Sequence, residues 1–273
     1  MKLAFSTNAF RRYELGETIS IIASAGYQGV EIMADRPHAW PPDLDEAKVD
    51  EIRESVRRNR LSISNINAFM MCVVGDFHRP SWIERDEKRR RMRIDHTIAS
   101  LELAAKLGAR RISTEPGGPL DGIDRREAMR LFQEGIHEAA LVAARLGVKL
   151  LVEPEPDLLI ERSDQFLEFM SGVKSDAVGL NFDVGHFFCV GEDPAELARR
   201  FGPLISHVHL EDIAADRKHF HLPPGKGAMD FDSLFNALRE IGYDGWITVE
   251  LYPFQEEAPR VAEEAFRFLQ RYV

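Results

Sequence analysis

Several apolar runs in the second half of the sequence end in side chains that bind metals or transfer protons. Asp183 follows the apolar run 177–180 after two residues, and His186 comes three residues later. A buried strand with such a pair at its tip is typical of a metal or catalytic site. Three further apolar runs end in the same chemistry, at Glu153, His209 and Glu250.

These four residues together predict a divalent metal ion. Each one alone is more often a surface charge or a hydrogen-bonded histidine. Three carboxylates and one imidazole at the ends of buried strands are costly unless a cation offsets their loss of water. Carboxylate oxygens with one imidazole suit Mn²⁺, Mg²⁺ or Co²⁺ and do not exclude Zn²⁺.

Two of the four positions have a neighbour that competes for the same role. Alternate residues of a strand share a face, so His207 points the same way as His209 and Glu155 the same way as Glu153. His209 is nearer the end of its strand, and Glu153 directly ends an apolar run. We therefore assign these two as ligands, with His207 as a deeper core residue and Glu155 as a loop residue or an acceptor behind the ligands.

The elements that carry these residues alternate along the whole chain. Eight strand-then-helix units fill residues 1–273, which predicts a single α/β domain with the (β/α)₈ TIM-barrel fold. The competing fold, a doubly wound open sheet, often has a glycine-rich turn after its first strand, and residues 6–10 contain no glycine. In this scheme the third helix spans 94–107, and the basic run 88–93 is a solvated helix face.

Composition limits the possible partners. The formal net charge is -10, which argues against a nucleic-acid partner because phosphate binding depends on clustered lysine and arginine. The two cysteines are far apart, the N-terminus lacks the pattern of a signal peptide, and no apolar stretch is long enough for a membrane span. We expect a cytoplasmic protein with no membrane partner.

Six segments carry a resemblance to a known family: 26–31, 151–154, 181–186, 206–212, 224–231 and 248–250. In these segments the chain resembles the xylose-isomerase-like TIM-barrel superfamily, and in particular its sugar isomerase and epimerase branch, which includes tagatose/allulose 3-epimerases. The superfamily also contains hydroxypyruvate isomerases, inosose isomerases and dehydratases, dehydroshikimate dehydratases and the endonuclease-IV group. The motifs identify the superfamily and separate its activities poorly.

The resemblance implies a role for each candidate residue. It implies that Glu153, Asp183, His209 and Glu250 are the metal ligands and that His186 contacts substrate. The epimerases commonly place an arginine in the loop 216–227, for which Arg217 is the candidate. Asn8 and Glu31, at the ends of the first two strands, are weaker candidates for lining the pocket. Barrels of this kind often form homo-oligomers.

Two loop histidines decide how many metal ions to expect. His219 and His221 lie where the nuclease branch places an aspartate and a histidine that hold extra metals. That branch also needs histidines at the ends of strands three and four, where this chain has 65–67 Asn-Ile-Asn and 114–116 Thr-Glu-Pro. We therefore expect one metal ion, with His219 and His221 as substrate-binding or lid residues.

The predicted activity is proton transfer on a small sugar or polyol. Two carboxylates beside one metal can remove a proton from a hydroxy-ketone and return it through an enediolate. Glu153 and Glu250 are the expected acid/base pair of an isomerase or epimerase. Two alternatives stay open: a dehydratase of the inosose or dehydroshikimate type that uses the same site, and a sugar-binding barrel without catalytic activity.

Overall fold

The eight strands of the chain close into one parallel barrel. A computed structural model describes all 273 residues. Each strand pairs with the next, and the first pairs with the last, which confirms the predicted (β/α)₈ barrel. The strands are β1 (Lys2–Ser6), β2 (Gly29–Met33), β3 (Ser62–Asn67), β4 (Arg111–Thr114), β5 (Lys149–Val152), β6 (Val178–Asp183), β7 (Ile205–Leu210) and β8 (Trp246–Val249).

The helices surround the barrel and bury one face each against it. Asp86 and Asp124 cap the starts of two long helices through backbone N–H groups, and Gly108 and Gly147 end them in the left-handed conformation. No helix is both long and apolar enough to cross a membrane. The helices are α1 (Leu15–Ser24), α2 (Glu46–Arg58), α3 (Glu87–Leu107), α4 (Arg125–Leu146), α5 (Ser163–Gly172), α6 (Val184–Cys189), α7 (Pro194–Phe201), α8 (Phe231–Glu240) and α9 (Ala258–Leu269).

Helix α3 begins earlier than predicted, and one face of its basic turn is buried. The helix starts at Glu87, seven residues before the predicted start, and Arg93 is completely buried. The interpretation of 88–93 as a solvated face is therefore wrong for Arg93. Charge patterning missed it because the partners of its guanidinium are backbone carbonyls that come from a distant loop.

Arg93 fixes the long loop between β3 and α3. Its Nε donates to the Pro80 carbonyl (2.9 Å) and its Nη1 to the Ala68 carbonyl (3.0 Å), which joins the two ends of this loop. Glu115, equally buried, lies 3.8 Å from the guanidinium and accepts the Trp82 N–H. The loop that covers the C-terminal end of the barrel is therefore held from beneath by an ion pair.

Breaking this pair should destabilise the protein strongly. In Arg93→Met, Glu115 stays buried without its cation, and we expect a loss of about 3–5 kcal/mol of unfolding free energy in urea denaturation. Adding Glu115→Gln to that variant removes the unpaired charge and should recover part of the loss. Equal stability of the single and double variants would contradict this role.

A second network joins the loops that follow β1 and β2. The Thr7 hydroxyl accepts the Met33 N–H and donates to His38 Nδ1 at 3.0 Å. His38 Nε2 lies 3.2 Å from the carbonyls of Phe10 and Tyr13. Because two carbonyls can only accept, the neutral ring carries its proton on Nε2 and every polar atom of His38 has a partner.

Lowering the pH should reduce the unfolding free energy of the protein through His38. Burial lowers the pKa of His38 from its ordinary 6.5 to about 4, so between these values the unfolded chain binds a proton that the folded protein does not. The stability that His38 contributes is complete above the unfolded pKa and is lost as the pH falls through the folded pKa, a loss of roughly 3 kcal/mol.

We expect the wild type to lose more unfolding free energy than His38→Gln between about pH 7 and about pH 4.5, measured by urea denaturation. The comparison cancels the titration of the carboxylates, which both proteins share. An equal loss in the two proteins would show that His38 is not responsible.

Candidate functional site

The four predicted ligands meet at the C-terminal end of the barrel. Glu153, Asp183, His209 and Glu250 are buried, and one donor atom from each lies within 4.8 Å of the others. His209 Nδ1 is 3.0 Å from Glu153 Oε1, 3.8 Å from Glu250 Oε1 and 4.0 Å from Asp183 Oδ2. Four consecutive strands, β5 to β8, supply these side chains, as the strand-end argument requires.

The donors of this cluster fit a divalent cation. Asp183 Oδ1 accepts the His186 N–H, which caps α6, but the buried Oδ2 has no hydrogen-bond partner. Burial, and then the charges of Glu153, Glu31 and Asp183, raise the pKa of Glu250 well above its ordinary value despite the opposing charge of His209. A cation at this point would satisfy the unpaired oxygen and compensate the carboxylates that otherwise repel one another.

Glu31 orients the only imidazole of the cluster. Its Oε2 lies 2.6 Å from His209 Nε2 and also accepts from Asn65 Nδ2, at 2.9 Å. Burial alone would raise the pKa of Glu31, but the charge and hydrogen bonds of His209 and His207 lower it well below its ordinary value. Glu31 is therefore a carboxylate that accepts the hydrogen bond of the His209 Nε2–H group and leaves Nδ1 facing the cluster.

The sequence had placed Glu31 in the pocket wall, and its contact with His209 was not foreseen. The sequence holds a local sign that Glu31 has a buried partner, because Glu31 lies between Val30 and Ile32 in a strand that is buried at every position. A charged residue inside such a strand needs a buried partner. Which partner it has depends on strands β2 and β7 facing each other across the barrel, and spacing in the sequence does not contain that information.

Asparagine amides hold the two glutamates of the expected acid/base pair. Asn8 Nδ2 and Asn67 Nδ2 donate to Glu250 Oε1, at 2.7 and 3.1 Å. Asn181 Nδ2 donates to Glu153 Oε2 at 2.7 Å. Each carboxylate is thus fixed in orientation by uncharged donors, which add no positive charge of their own to the cluster.

A pocket opens above the cluster. Aromatic rings close one side of it, and Phe77 from the β3–α3 loop packs against Tyr252 with ring centroids 5.4 Å apart. Sugar-binding sites commonly place such rings against the apolar face of a ligand. The pocket is lined by Asn8, Asn67, Phe69, Met70, Phe77, Glu153, Glu155, His186, His219, Glu250 and Tyr252.

Three imidazoles form the wall beside Asp183. The Nδ1 atoms of His186 and His221 lie 2.9 Å from the carbonyls of Pro154 and Glu250, so each ring presents Nε2 to the interior. His219 Nε2 is 3.3 Å from His221 Nε2. Burial lowers the pKa of His219 to about 4 and that of His221 to about 3, which keeps both rings neutral. The three side chains also lie close enough together to hold a metal ion.

Asp212 builds the loop that carries His219 and His221. Its carboxylate accepts the N–H groups of Gly225 (2.9 Å), Gly227 (2.8 Å) and Met229 (3.2 Å). A side chain at Gly227 would collide with Asp212, so glycine is needed there for this close approach. The conformation of this loop therefore explains the glycine at the end of the motif 224–227. The side chain of Lys226 is exposed.

The structure does not bring Arg217 to the pocket. Arg217 is exposed, its Nη1 donates to the Phe188 carbonyl at 2.9 Å, and its guanidinium lies over the Phe188 ring. These contacts hold the outer part of the loop against α6. Of the residues predicted to bind substrate, His186 and His219 line the pocket, and His221 lies directly behind His219.

One further residue was missed. Glu211 is completely buried beside Asp183, and neither carboxylate oxygen has a hydrogen-bond partner. Burial and the neighbouring charge of Asp183 raise its pKa well above the ordinary value, which disfavours the charged form of this side chain. The sequence showed only a charge after a strand, a position at which most glutamates are exposed.

Two curated relatives differ in how much of the chain they match. An inosose dehydratase of Clostridium beijerinckii is 30% identical over 152 residues, which are 50% of this chain and 50% of the relative. The chain therefore spans about half the length of this relative. An inosose isomerase of Bacillus velezensis is 25% identical over 260 residues, 92% of this chain and 89% of the relative.

The fold comparison covers the whole chain. A crystal structure of the IOLI protein with a bound zinc atom superposes with a TM-score of 0.82 at 23% identity, and covers 100% of this chain and 99% of that one. At this identity the likeness concerns the fold alone. The model of the family described as "Xylose isomerase-like TIM barrel" matches residues 19–272, and the chain therefore belongs to that family.

Proposed function

We propose that the protein is a divalent-metal-dependent isomerase or epimerase of a keto-sugar or related polyol. The observation that carries the proposal is the convergence of Glu153, Asp183, His209 and Glu250 beneath a pocket lined with hydroxyl-binding groups. The inosose isomerase among the relatives acts, by its name, on a compound of this class. An ion at the cluster would polarise the substrate carbonyl and stabilise negative charge on its oxygen.

Glu153 and Glu250 carry the proton in this proposal. One carboxylate removes the proton from the carbon next to the carbonyl, which leaves an enediolate. The other donates a proton to the opposite face of that carbon, or to the neighbouring carbon, and proton exchange with solvent then returns both carboxyl groups to their starting states. The amides of Asn8, Asn67 and Asn181 hold the two carboxylates in place between turnovers.

The imidazoles position the substrate. His186 and His219 face the pocket, and His186 is fixed by the Pro154 carbonyl, so its Nε2 accepts a hydrogen bond from a substrate hydroxyl. His221 supports His219 from behind, as the loop geometry built by Asp212 allows. Arg217 has no part in this scheme because its guanidinium is held on Phe188.

Metal affinity should depend on Glu31. In Glu31→Gln the proton acceptor for His209 loses its charge, and we expect about 10- to 100-fold weaker metal binding in titrations of chelator-treated protein with Mn²⁺, Co²⁺ and Zn²⁺. Asp183→Asn, which changes a ligand directly, should weaken binding further. Glu46→Gln on the surface is the control. Metal affinity that none of the changes alters would refute a site at this cluster.

Removing the acid/base group should stop proton exchange. We expect Glu250→Gln, assayed at saturating metal, to slow solvent-deuterium incorporation into the substrate by at least about 100-fold. The matched control is Glu256→Gln, an exposed residue in the same loop after β8. Exchange at the wild-type rate in Glu250→Gln would exclude the proposed pair, and metal analysis of the variant separates loss of the base from loss of the ion.

A dehydratase is the second candidate, favoured by the inosose dehydratase relative. The same enediolate can expel a neighbouring hydroxyl if an acid stands near the leaving group, and His186 is the imidazole of the pocket whose pKa is raised: burial lowers it, but the charges of Asp183, Glu155 and Glu153 outweigh that effect. Proton-exchange NMR on ketoses, inososes and dehydroshikimate distinguishes the candidates. Exchange marks an isomerase, loss of water marks a dehydratase, and line broadening alone marks a binding protein.

A further inference from the structure

Glu155 is a buried carboxylate that lines the pocket and is not one of the four residues proposed to hold the metal ion. It follows β5 by three residues, and its N–H donates to the Ile160 carbonyl at 3.1 Å, which fixes the backbone. Only 7% of the residue is exposed, and it lines the pocket together with Glu153 and Glu250. What remains accessible of Glu155 therefore faces the substrate.

His78 holds this carboxylate in position. Its Nε2 lies 3.0 Å from Glu155 Oε1, and its own N–H donates to Asp76 Oδ1 at 2.9 Å, so the β3–α3 loop carries the ring to the pocket. The hydrogen bond to His78 uses Oε1 only. Oε2 has no donor from the protein and is free to accept a hydrogen bond from a ligand.

The lining of the pocket contains no lysine or arginine that could pair with an anionic ligand. Arg217 lies on Phe188 at the surface and Arg93 donates to backbone carbonyls, while the half-buried His219 has its Nδ1 3.8 Å from Glu155 Oε1. A carboxylate or phosphate at this end of the pocket would have to compete with Glu155 for His78.

We propose that Glu155, aimed by His78, is the specificity-determining residue of the pocket: it accepts hydrogen bonds from hydroxyl groups at the end of the substrate remote from the metal cluster, and it excludes substrates that carry an anionic group there. This inference rests on the proposed function for the orientation of the substrate. It selects neutral ketoses and inososes over dehydroshikimate and sugar phosphates, which have a carboxylate or phosphate away from the ketone.

Three sugars that differ at one terminal carbon test the inference. D-fructose, D-fructuronate and D-fructose 6-phosphate carry a hydroxyl, a carboxylate and a phosphate at the carbon farthest from the ketone. With the metal-loaded full-length protein, we expect calorimetric or NMR titration to give at least about tenfold tighter binding of D-fructose than of either anion. In Glu155→Gln the ratio between D-fructose and D-fructuronate should fall by about tenfold.

The controls separate charge from structure. Glu161→Gln, in the same loop but outside the pocket lining, should keep the wild-type ratio. His78→Gln should weaken D-fructose binding and leave the rate of proton exchange at saturation unchanged, because His78 acts only through the position of Glu155. If Glu155→Gln does not fold, the wild-type ratio and the His78→Gln titration decide the question alone.

Wild-type protein that binds the three sugars within about twofold of one another, or binds none of them, overturns the inference, as does an unchanged ratio in Glu155→Gln. Binding is read without turnover. Selective binding of D-fructose without proton exchange would therefore refute the proposed isomerase and support the inference about Glu155. Proton exchange on D-fructuronate as fast as on D-fructose would support the isomerase and refute the inference.

Discussion

The buried negative charge at the C-terminal end of the barrel is the constraint on which the site depends. Glu153, Asp183 and Glu250 end strands whose flanks are packed, so water compensates none of them fully. Bringing such groups together costs several kcal/mol for each ion unless opposite charge or strong donors surround them. The fold meets this cost with amides, with one imidazole and with a gap between the donor atoms that suits a cation.

The surroundings of the cluster follow from that constraint. Uncharged asparagines contact the glutamates, and the one imidazole in the cluster donates its Nε2–H hydrogen bond to Glu31 on the opposite side of the barrel. A lysine or arginine in place of an asparagine would neutralise the carboxylates and compete with a metal for them. The polar groups around the cluster therefore suit a cation that enters from the pocket. Without this cation the carboxylates of the cluster are not fully neutralised.

The sequence predicts the barrel and the four clustered residues because both follow from local patterns. Each strand is an apolar run, and parallel strands of a barrel bring their ends to one rim, so the carboxylate and imidazole residues at the ends of β5 to β8 could be expected to meet. Position along the strand separated Glu153 from Glu155 and His209 from His207, because the members of each pair share a face. The structure places Glu155 in the pocket wall and His207 one layer deeper, next to Glu31.

What the sequence could not supply are contacts between residues far apart in the chain. Arg93 looked like part of a solvated run because its acceptors are carbonyls of residues 68 and 80, and carbonyls leave no trace in the residue types. Arg217 stood at a plausible position, but the direction of its side chain is set by Phe188 on another element. Glu31 and Glu211 were each visible as charges, and only the closed barrel reveals what each one faces.

The ion pair beneath the β3–α3 loop has a consequence for how this barrel can diversify. Arg93 and Glu115 hold residues 68, 80 and 82 of the loop outside the pocket, whereas Phe69 and Phe77 lie between residues 68 and 80 and line the pocket above the four clustered residues. These two aromatic residues can therefore be exchanged without disturbing either the anchorage of the loop or the four clustered residues below it. Under the function proposed above, substitutions in this loop could change which ligands are bound while the groups that transfer the proton stay in place.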